Sequence, residues 1–403
     1  MMKVLLIDVN YKNSSTGKIV HQIKNYLTKS NDVVPYVAYG RGVNIKEKNV
    51  YKFSLDTETK VHALLTRVFG LTGHFSPLST LNLIRYMKRI KPDVIHIHEI
   101  HGYFVNWMRI VKYAIKNNVR VVWTFHCDFM ITGRCGVSNE CIRWKIGCGN
   151  CPDLKRYPRT LMFDFSRLMY NQKKNNLIKI NDLCITTPSK WLSDKVSETY
   201  LKHKRIEVVP NAVDTEVFKP RRDRYIEFPI DINKKRVLLF VAPNPFSEQK
   251  GGKYALTLAK DLAQYNAYVI IIGADINSPS FKDNYAILPK ITDQEVLANY
   301  YTLAELTLTL SKTETFSLVT AESLACGTPI IGFDSLGPSE IALKGMGLFV
   351  KYGDYEGLKS VIIESLSTKN PFLQKDLLVN HITKNFSIQA MVNNYVKLYR
   401  GGI

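Results

Sequence analysis

Glu314 sits in a polar turn after an apolar run that ends at Leu310, and Glu322 lies about two turns into the segment that begins near Ser317. A strand–turn–helix arrangement of this kind points free backbone N–H groups outward and makes an anion site. Two carboxylates so placed could hold the hydroxyls of a sugar and of a ribose while the helix start holds phosphate. Capping by Glu314 and plain solvation of Glu322 would produce the same letters. Lys250 is presented similarly, after the run ending at Val241 and directly before Gly251 and Gly252. An ammonium there would neutralise a departing diphosphate; a surface lysine reads the same way.

Four further stretches carry reactive side chains. Asn13-Ser14-Ser15-Thr16-Gly17-Lys18-Ile19 looks like a phosphate loop, but Lys12 stands where its first glycine belongs and Ile19 where Ser or Thr should follow the lysine. The Walker motif is therefore excluded, leaving either a glycine-bearing loop at Gly17 or a helix cap at Ser15 or Thr16. His96, His98 and His101 fall within six residues, which suggests a metal, yet Ile100 occupies the position of the aspartate in the metallo-hydrolase pattern. Histidines lining the end of a strand fit the run better. His126 heads another strand end, Trp123-Thr124-Phe125-His126. Cys135, Cys141, Cys148 and Cys151 follow, the last two at zinc-knuckle spacing. A structural Zn²⁺, a disulfide or unpaired thiols are the choices for this Cys-rich insertion over residues 127–152. Cys184 and Cys326 read as small buried hydrophobes.

The elements that must position these groups follow from periodicity. β-branched apolar runs at 4–7, 33–38, 94–97, 119–125 and 183–187, then 236–241, 268–272, 306–310, 329–333 and 348–350, have strand length, and several are continuously apolar. Such runs are parallel strands covered on both faces. Helical patterns lie between them, for example at 17–27, 78–90, 252–262, 292–301 and 357–366, with a last amphipathic helix at 387–399. The alternation occurs twice, so the expected fold is α/β, two doubly wound Rossmann-like domains facing a central crevice. The expected domains are 1–205, 206–385 and a C-terminal helix, 386–403, returning to the first domain; the joint lies near 209–214 and continues over 218–227.

The 403 residues are 45% hydrophobic and 22% charged, ordinary for a chain with full cores. No apolar stretch nears the ~20 residues of a membrane span, and Asp8 halts the first apolar run before it could serve as a signal peptide. A cytosolic protein is expected, where disulfides are disfavoured. The charge is lopsided. Residues 1–190 hold 30 basic and 12 acidic side chains, a net +18, whereas the rest hold 25 and 23, a net +2. The first half is expected to meet a polyanion, either nucleic acid or an anionic membrane face.

Glu314 through Glu340, with Gly327-Thr328-Pro329 and Gly337-Pro338-Ser339 between, resembles the retaining glycosyltransferases of family 4, which have the GT-B fold. The resemblance implies that the C-terminal domain binds a UDP- or GDP-linked sugar and the basic N-terminal domain binds the acceptor, a glycan or a lipid-linked one. It implies that Glu314 contacts the donor sugar, Glu322 the ribose, and the amides of Phe316, Ser317 and Leu318 the sugar and its diphosphate. Lys250 would face the diphosphate, Gly17 the phosphate side of the first domain, His126 the reacting sugar, and His98 or His101 the acceptor. The catalytic group would be His126, Glu314 and Lys250, with no catalytic metal. The family usually places an Arg several residues before the Lys; here Pro243 and Pro245 occupy those positions, and the second cation comes from elsewhere or is lacking. A Cys-rich insertion also occurs in family members that build surface polysaccharides; with the +18 charge and no spanning segment, a cytoplasmic enzyme peripheral to the inner face of the plasma membrane is expected, acting without nucleic acid. Two other readings of the residues remain: a basic zinc-containing nucleic-acid binder, and a metal-dependent hydrolase built on His96, His98 and His101.

Overall fold

The computed structural model describes the chain except residues 222–225, 227, 230, 368–370 and 403, so part of the joint expected over 218–227 lies outside the described residues. The chain forms two compact units: Met1–Pro210 together with Val392–Ile403, and Asn211–Met391.

The first unit contains β1 (Met2–Asp8), β2 (Val33–Tyr39), β3 (Val50–Lys52), β4 (Val94–Ile97), β5 (Arg120–Thr124), β6 (Leu183–Thr187) and β7 (Arg205–Val208), paired in parallel in the order β3-β2-β1-β4-β5-β6-β7. Side chains alternate across a strand. Leu5, Ile7, Ile95, Ile97, Val121, Trp123 and Ile185 therefore share one face, in a core with Leu83 and Met87 of helix Pro77–Ile90 and Ile110 and Val111 of helix Trp107–Lys116. The opposite face carries polar groups at its centre: His96, Thr124 and Thr186 are fully buried. Helix Ile388–Tyr399 satisfies them. Its Tyr399 and Tyr395, one helical turn apart, meet His96 Nδ1 at 2.7 Å and Thr124 Oγ1 at 3.0 Å.

The second unit contains β8 (Arg236–Val241), β9 (Ala267–Ala274), β10 (Ser280–Phe281), β11 (Tyr285–Pro289), β12 (Leu306–Thr309), β13 (Ile330–Phe333) and β14 (Gly347–Val350), in the order β10-β11-β9-β8-β12-β13-β14. Every pair is parallel except β10 with β11. Both faces are buried: Leu239, Ile270 and Ile330 belong to one core, Leu238, Ile271 and Ile331 to the other. Two-sided burial explains why β8, β9 and β13 show no polar alternation; in β12 Thr307 and Thr309 alternate with Leu306 and Leu308 and are buried as well. Both units are thus Rossmann-like. Strand order reverses between β1 and β4 in the first and between β8 and β12 in the second, and open α/β sheets bind ligands beyond the carboxyl ends of strands at such points.

Candidate functional site

In the second unit the loops after β8 and β12 are stitched together by backbone. Lys312 N–H donates to Gln249 C=O at 2.9 Å. Gly251 has φ +77°, and a Cβ there would stand 2.2 Å from Leu310 C=O, so only glycine lets the first loop lie this close to the end of β12. The outcome is a salt bridge: Lys250 Nζ lies 2.6 Å from Glu314 Oε1, both half-buried. A third loop fixes the carboxylate's backbone. Glu314 N–H donates to Ser335 C=O at 2.9 Å, and Gly337 N–H donates to Glu314 C=O at 3.1 Å.

Directly beyond, Ser317 caps helix Leu318–Ala325 and its hydroxyl accepts the Thr320 amide at 3.3 Å. Ser317 has φ +85°, a conformation that costs a non-glycine residue on the order of 1 kcal/mol and turns the chain sharply into the helix. Phe316, one residue earlier, is buried in the core and anchors the turn. Glu322 is not a solvated helix residue: its Oε2 accepts the hydroxyl of buried Tyr301 at 2.9 Å. Burial, then the Glu322 charge, holds that hydroxyl far above its ordinary ionisation range. Lys312, on the same loop as Glu314, has its ammonium 6.0 Å from the ring centroid of Tyr352.

In the first unit the loops after β1, β4 and β5 carry the predicted residues. Helix Ser15–Thr28 is capped by Ser14, one residue before the expected Ser15 or Thr16; its Oγ accepts Gly17 N–H at 2.9 Å. A Cβ on Gly17 would meet Ser14 Oγ at 2.9 Å and Asn10 C=O at 3.0 Å. Gly17 is therefore what lets the loop fold over the helix start.

The three-histidine cluster does not assemble. Both nitrogens of His96 are taken, by Tyr399 and by Thr124 at 2.8 Å, so it is a structural core histidine. His98 Nδ1 instead meets His126 Nε2 at 3.0 Å. Burial pushes His98 well below the usual histidine range and His126 down to about 4, so the pair is neutral near pH 7 and exchanges hydrogen bonds without charge. His98 Nε2 is buried and has no partner among the described residues.

His101 turns elsewhere. Its Nε2 lies 2.9 Å from Glu99 Oε1 and 3.4 Å from Cys127 Sγ, and its Nδ1 meets the Tyr157 hydroxyl at 3.2 Å. Glu99, His101 and Cys127 form a set whose ligand atoms all lie within 4.8 Å of one another. Such a set could hold a metal ion, and equally closes on itself as an ion pair with a thiol beside it. Nothing in the sequence pointed to Glu99 or to Asp8 except that Asp8 ends the first apolar strand. Asp8 is fully buried and accepts Glu99 N–H at 2.9 Å and the Thr16 hydroxyl at 3.0 Å. Burial raises its carboxyl to about 7, against the opposing effect of those bonds.

All seven cysteines are free thiols. In the insertion, contact with Cys135 lowers the Cys151 thiol to about 6 and raises that of Cys135, and Cys148 Sγ accepts Gly133 N–H at 3.1 Å. Among the described residues, no three of Cys135, Cys141, Cys148 and Cys151 bring their sulfurs within 4.8 Å of one another. Buried charges anchor the segment. Lys173 donates to the carbonyls of Phe129, of Thr132 at 3.0 Å and of Gly133 at 3.1 Å, and Lys195 bridges Asp128 at 2.7 Å.

Two family models cover most of the chain: Glycosyltransferase Family 4 matches residues 17–217 and Glycosyl transferases group 1 matches residues 223–377. A glycosyl transferase of Escherichia coli (strain K12) named for colanic acid biosynthesis, WcaC, is 24% identical over 402 residues, with 91% of each chain covered. Among solved structures, sucrose-phosphate synthase from Thermosynechococcus elongatus superposes with a TM-score of 0.72 at 17% identity, covering 100% of this chain and 99% of that one. Anabaena Alr3699/HepE in complex with UDP-glucose gives a TM-score of 0.61 at 13% identity, with both chains fully covered.

Proposed function

Because the chain belongs to the family 4-like glycosyltransferases of the GT-B fold, we propose that it moves a sugar from a nucleotide diphosphate to a glycan or polyprenyl-diphosphate-linked acceptor, with retention of configuration, in surface polysaccharide synthesis. The Lys250–Glu314 pair at 2.6 Å beside the capped start of helix Leu318–Ala325 is the observation that carries this reading. The crystallised relative that binds UDP-glucose and the relative named for colanic acid both agree with it.

In this mechanism the helix start and Lys250 receive the diphosphate. Glu314, released from Lys250 as the phosphates arrive, accepts hydroxyls of the transferred sugar, and Glu322, held by Tyr301, accepts those of the ribose. The bond from C1 to the diphosphate oxygen breaks while the acceptor oxygen bonds to C1 on the same face. The acceptor's proton passes to the departing phosphate oxygen. No side chain acts as nucleophile and no divalent ion takes part; Lys250 stabilises the charge that grows on the leaving group. Neutral His126 hydrogen-bonds the reacting sugar, while His98 and His101 face the acceptor. Gly17 leaves room for the phosphate side of the donor, and the enzyme works at the cytoplasmic face of the membrane.

The test is a thermal-shift and calorimetric screen of UDP- and GDP-sugars, followed by turnover on a lipid-linked acceptor in chelator, with the product's anomeric configuration read by NMR. Binding of one nucleotide sugar and an unchanged anomeric configuration are expected. Failure to bind any of them, or an inverted product, overturns the reading.

A further inference from the structure

Helix Asp56–Phe69 is inside out. Its buried positions are Thr59, His62 and Thr66, while Val61, Leu64 and Phe69 are exposed, Leu64 at 60%. An ordinary surface helix does the reverse, since burying its apolar stripe is what holds it down. Here polar bonds hold it. His62 Nδ1 meets Ser76 Oγ at 2.7 Å and Nε2 accepts Gly73 N–H at 3.1 Å.

The outward face is extended by a second segment. Leu161, Met162 and Phe163 are consecutive, and Leu161 and Met162 are 59% and 67% exposed. Leu161 N–H donates to Arg67 C=O at 2.7 Å, and the rings of Phe163 and Phe69 stack with centroids 5.8 Å apart. Helix and loop therefore present one continuous apolar surface, of the kind that marks an interaction site.

Its rim is basic. Lys60, Arg67 and Arg159 are exposed. The nearby acids are already engaged: Asp56 with Lys52 at 2.8 Å, Glu58 with the amides of Leu78 and Ser79, and Asp164 with the amides of Cys151 and Ser166. The first 190 residues carry +18, and no described helix is long and apolar enough to cross a membrane.

We propose that this face, centred on Leu64, Leu161 and Met162, is where the protein inserts into an anionic lipid surface, the apolar side chains at the acyl boundary and Lys60, Arg67 and Arg159 among the headgroups. An apolar patch within a cationic rim is what such a surface recognises. The inference deepens the membrane-surface reading above and is tested apart from sugar transfer.

The experiment is co-sedimentation of the full chain with phosphatidylcholine vesicles, with and without phosphatidylglycerol. The wild type should bind the phosphatidylglycerol vesicles. The triple variant Leu64→Ser, Leu161→Ser, Met162→Ser should lose partitioning by roughly tenfold or more and keep its melting temperature. In parallel, Met162→Trp should fluoresce further to the blue on vesicles and be quenched by lipids brominated in the acyl chain. Unchanged vesicle binding by the triple variant, or no quenching of the tryptophan, overturns the proposal. So does a dimer or a bound protein that the triple variant releases while vesicles are ignored. Vesicle binding retained by a chain that binds no nucleotide sugar would support this surface and count only against the transfer reaction.

Discussion

Lys250 and Glu314 neutralise each other at 2.6 Å, so substituting either disturbs the other, and their variants separate only in kinetics. In the proposed reaction Lys250→Ala removes charge that matters most as the diphosphate leaves, so kcat should fall more than donor affinity. Glu314→Gln keeps the shape and should cost on the order of 10²–10³ in turnover. Glu322→Gln should weaken nucleotide binding, because a ribose changes little along the reaction, and His126→Ala should slow transfer and spare nucleotide binding. Steady-state kinetics on the four variants checks this; near wild-type turnover by both Glu314→Gln and Lys250→Ala would remove the site. The histidines also set an acid limit on stability. Burial lowers His62 to about 3 and His126 to about 4, and holds His96 and His98 well below the ordinary value of 6.5. The unfolded chain takes up these protons near pH 6.5 and the folded one does not, so stability falls as pH drops below 6.5, by up to about 1.4 kcal/mol per unit for each group. Asp8 works against this, since its carboxyl titrates at about 7 when folded and near 3.8 otherwise; folding keeps its proton, and its contribution is full below 3.8 and lost as pH rises through 7. Burial lowers His21 and His74 as well, so six imidazoles against one carboxyl leave acid destabilising. Urea midpoints from pH 7 to 5 should decline, and a flat or rising series would contradict the burial of these imidazoles in neutral form.

Gly251 holds together the two loops that carry Lys250 and Glu314, and Gly251→Ala tests that device. A methyl group 2.2 Å from Leu310 C=O in a left-handed backbone forces the loop away, at roughly 1–3 kcal/mol. Urea midpoint and nucleotide-sugar affinity should drop together; a midpoint unchanged from wild type would mean the loop is free to move. The cysteine insertion supports a separate expectation. If Cys135, Cys141, Cys148 and Cys151 hold Zn²⁺, binding draws their sulfurs to ~2.3 Å from one ion and couples the metal to the folding of the segment. Protein purified without added zinc should carry about one equivalent, lost in Cys151→Ser; metal-free wild type would leave the thiols unligated. Strand-forming runs were the most legible elements, because two-sided burial writes itself as continuous apolar sequence. All ten stretches expected as strands are strands. The four not foreseen, Val50–Lys52, Arg205–Val208, Ser280–Phe281 and Tyr285–Pro289, are short, polar or proline-ended and lie at or beside sheet edges, where one neighbour is missing and apolar character is not demanded. The loops of Lys250 and Glu314 could be read for a related reason, since each packs its reactive side chains into about a dozen consecutive residues. Asp8, Glu99 and Cys127 could not be read, because partners separated by 91 and 28 positions meet only once β1, β4 and β5 are side by side. His96 misled for the same reason: Tyr399, 303 positions away, makes it a core residue.

At the scale of the molecule, charge and core are distributed differently. The excess of +18 belongs to the first 190 residues, while each unit is built around its own buried clusters. High salt should therefore weaken attachment to anionic surfaces, screened beyond ~8 Å at physiological ionic strength, and leave nucleotide-sugar affinity far less affected. Vesicle binding and donor titrations over the same salt series check this; parallel losses would tie the net charge to the donor site instead. The first unit also depends on sequence from far away. Tyr395 and Tyr399 are fully buried against His96 and Thr124, and Arg120 donates to Tyr399 C=O at 2.8 Å. Ending the chain before Val392 should remove the buried rings of Tyr395 and Tyr399 and their hydrogen bonds to Thr124 and His96, costing roughly 1.5–3 kcal/mol for each large side chain no longer buried. The melting transition of the first unit should fall while that of Asn211–Met391 holds; an unmoved transition would show that the helix is ornamental. The same helix sets a schedule for synthesis. On the ribosome the second unit, residues 211–391, can close on itself as soon as it emerges, but the first must wait, with its central polar row exposed, until residues 392–403 have been made. Residues 1–210 thus wait while the 181 residues of 211–391 are translated before their polar row is covered, and through that interval they can be captured by chaperones or can aggregate.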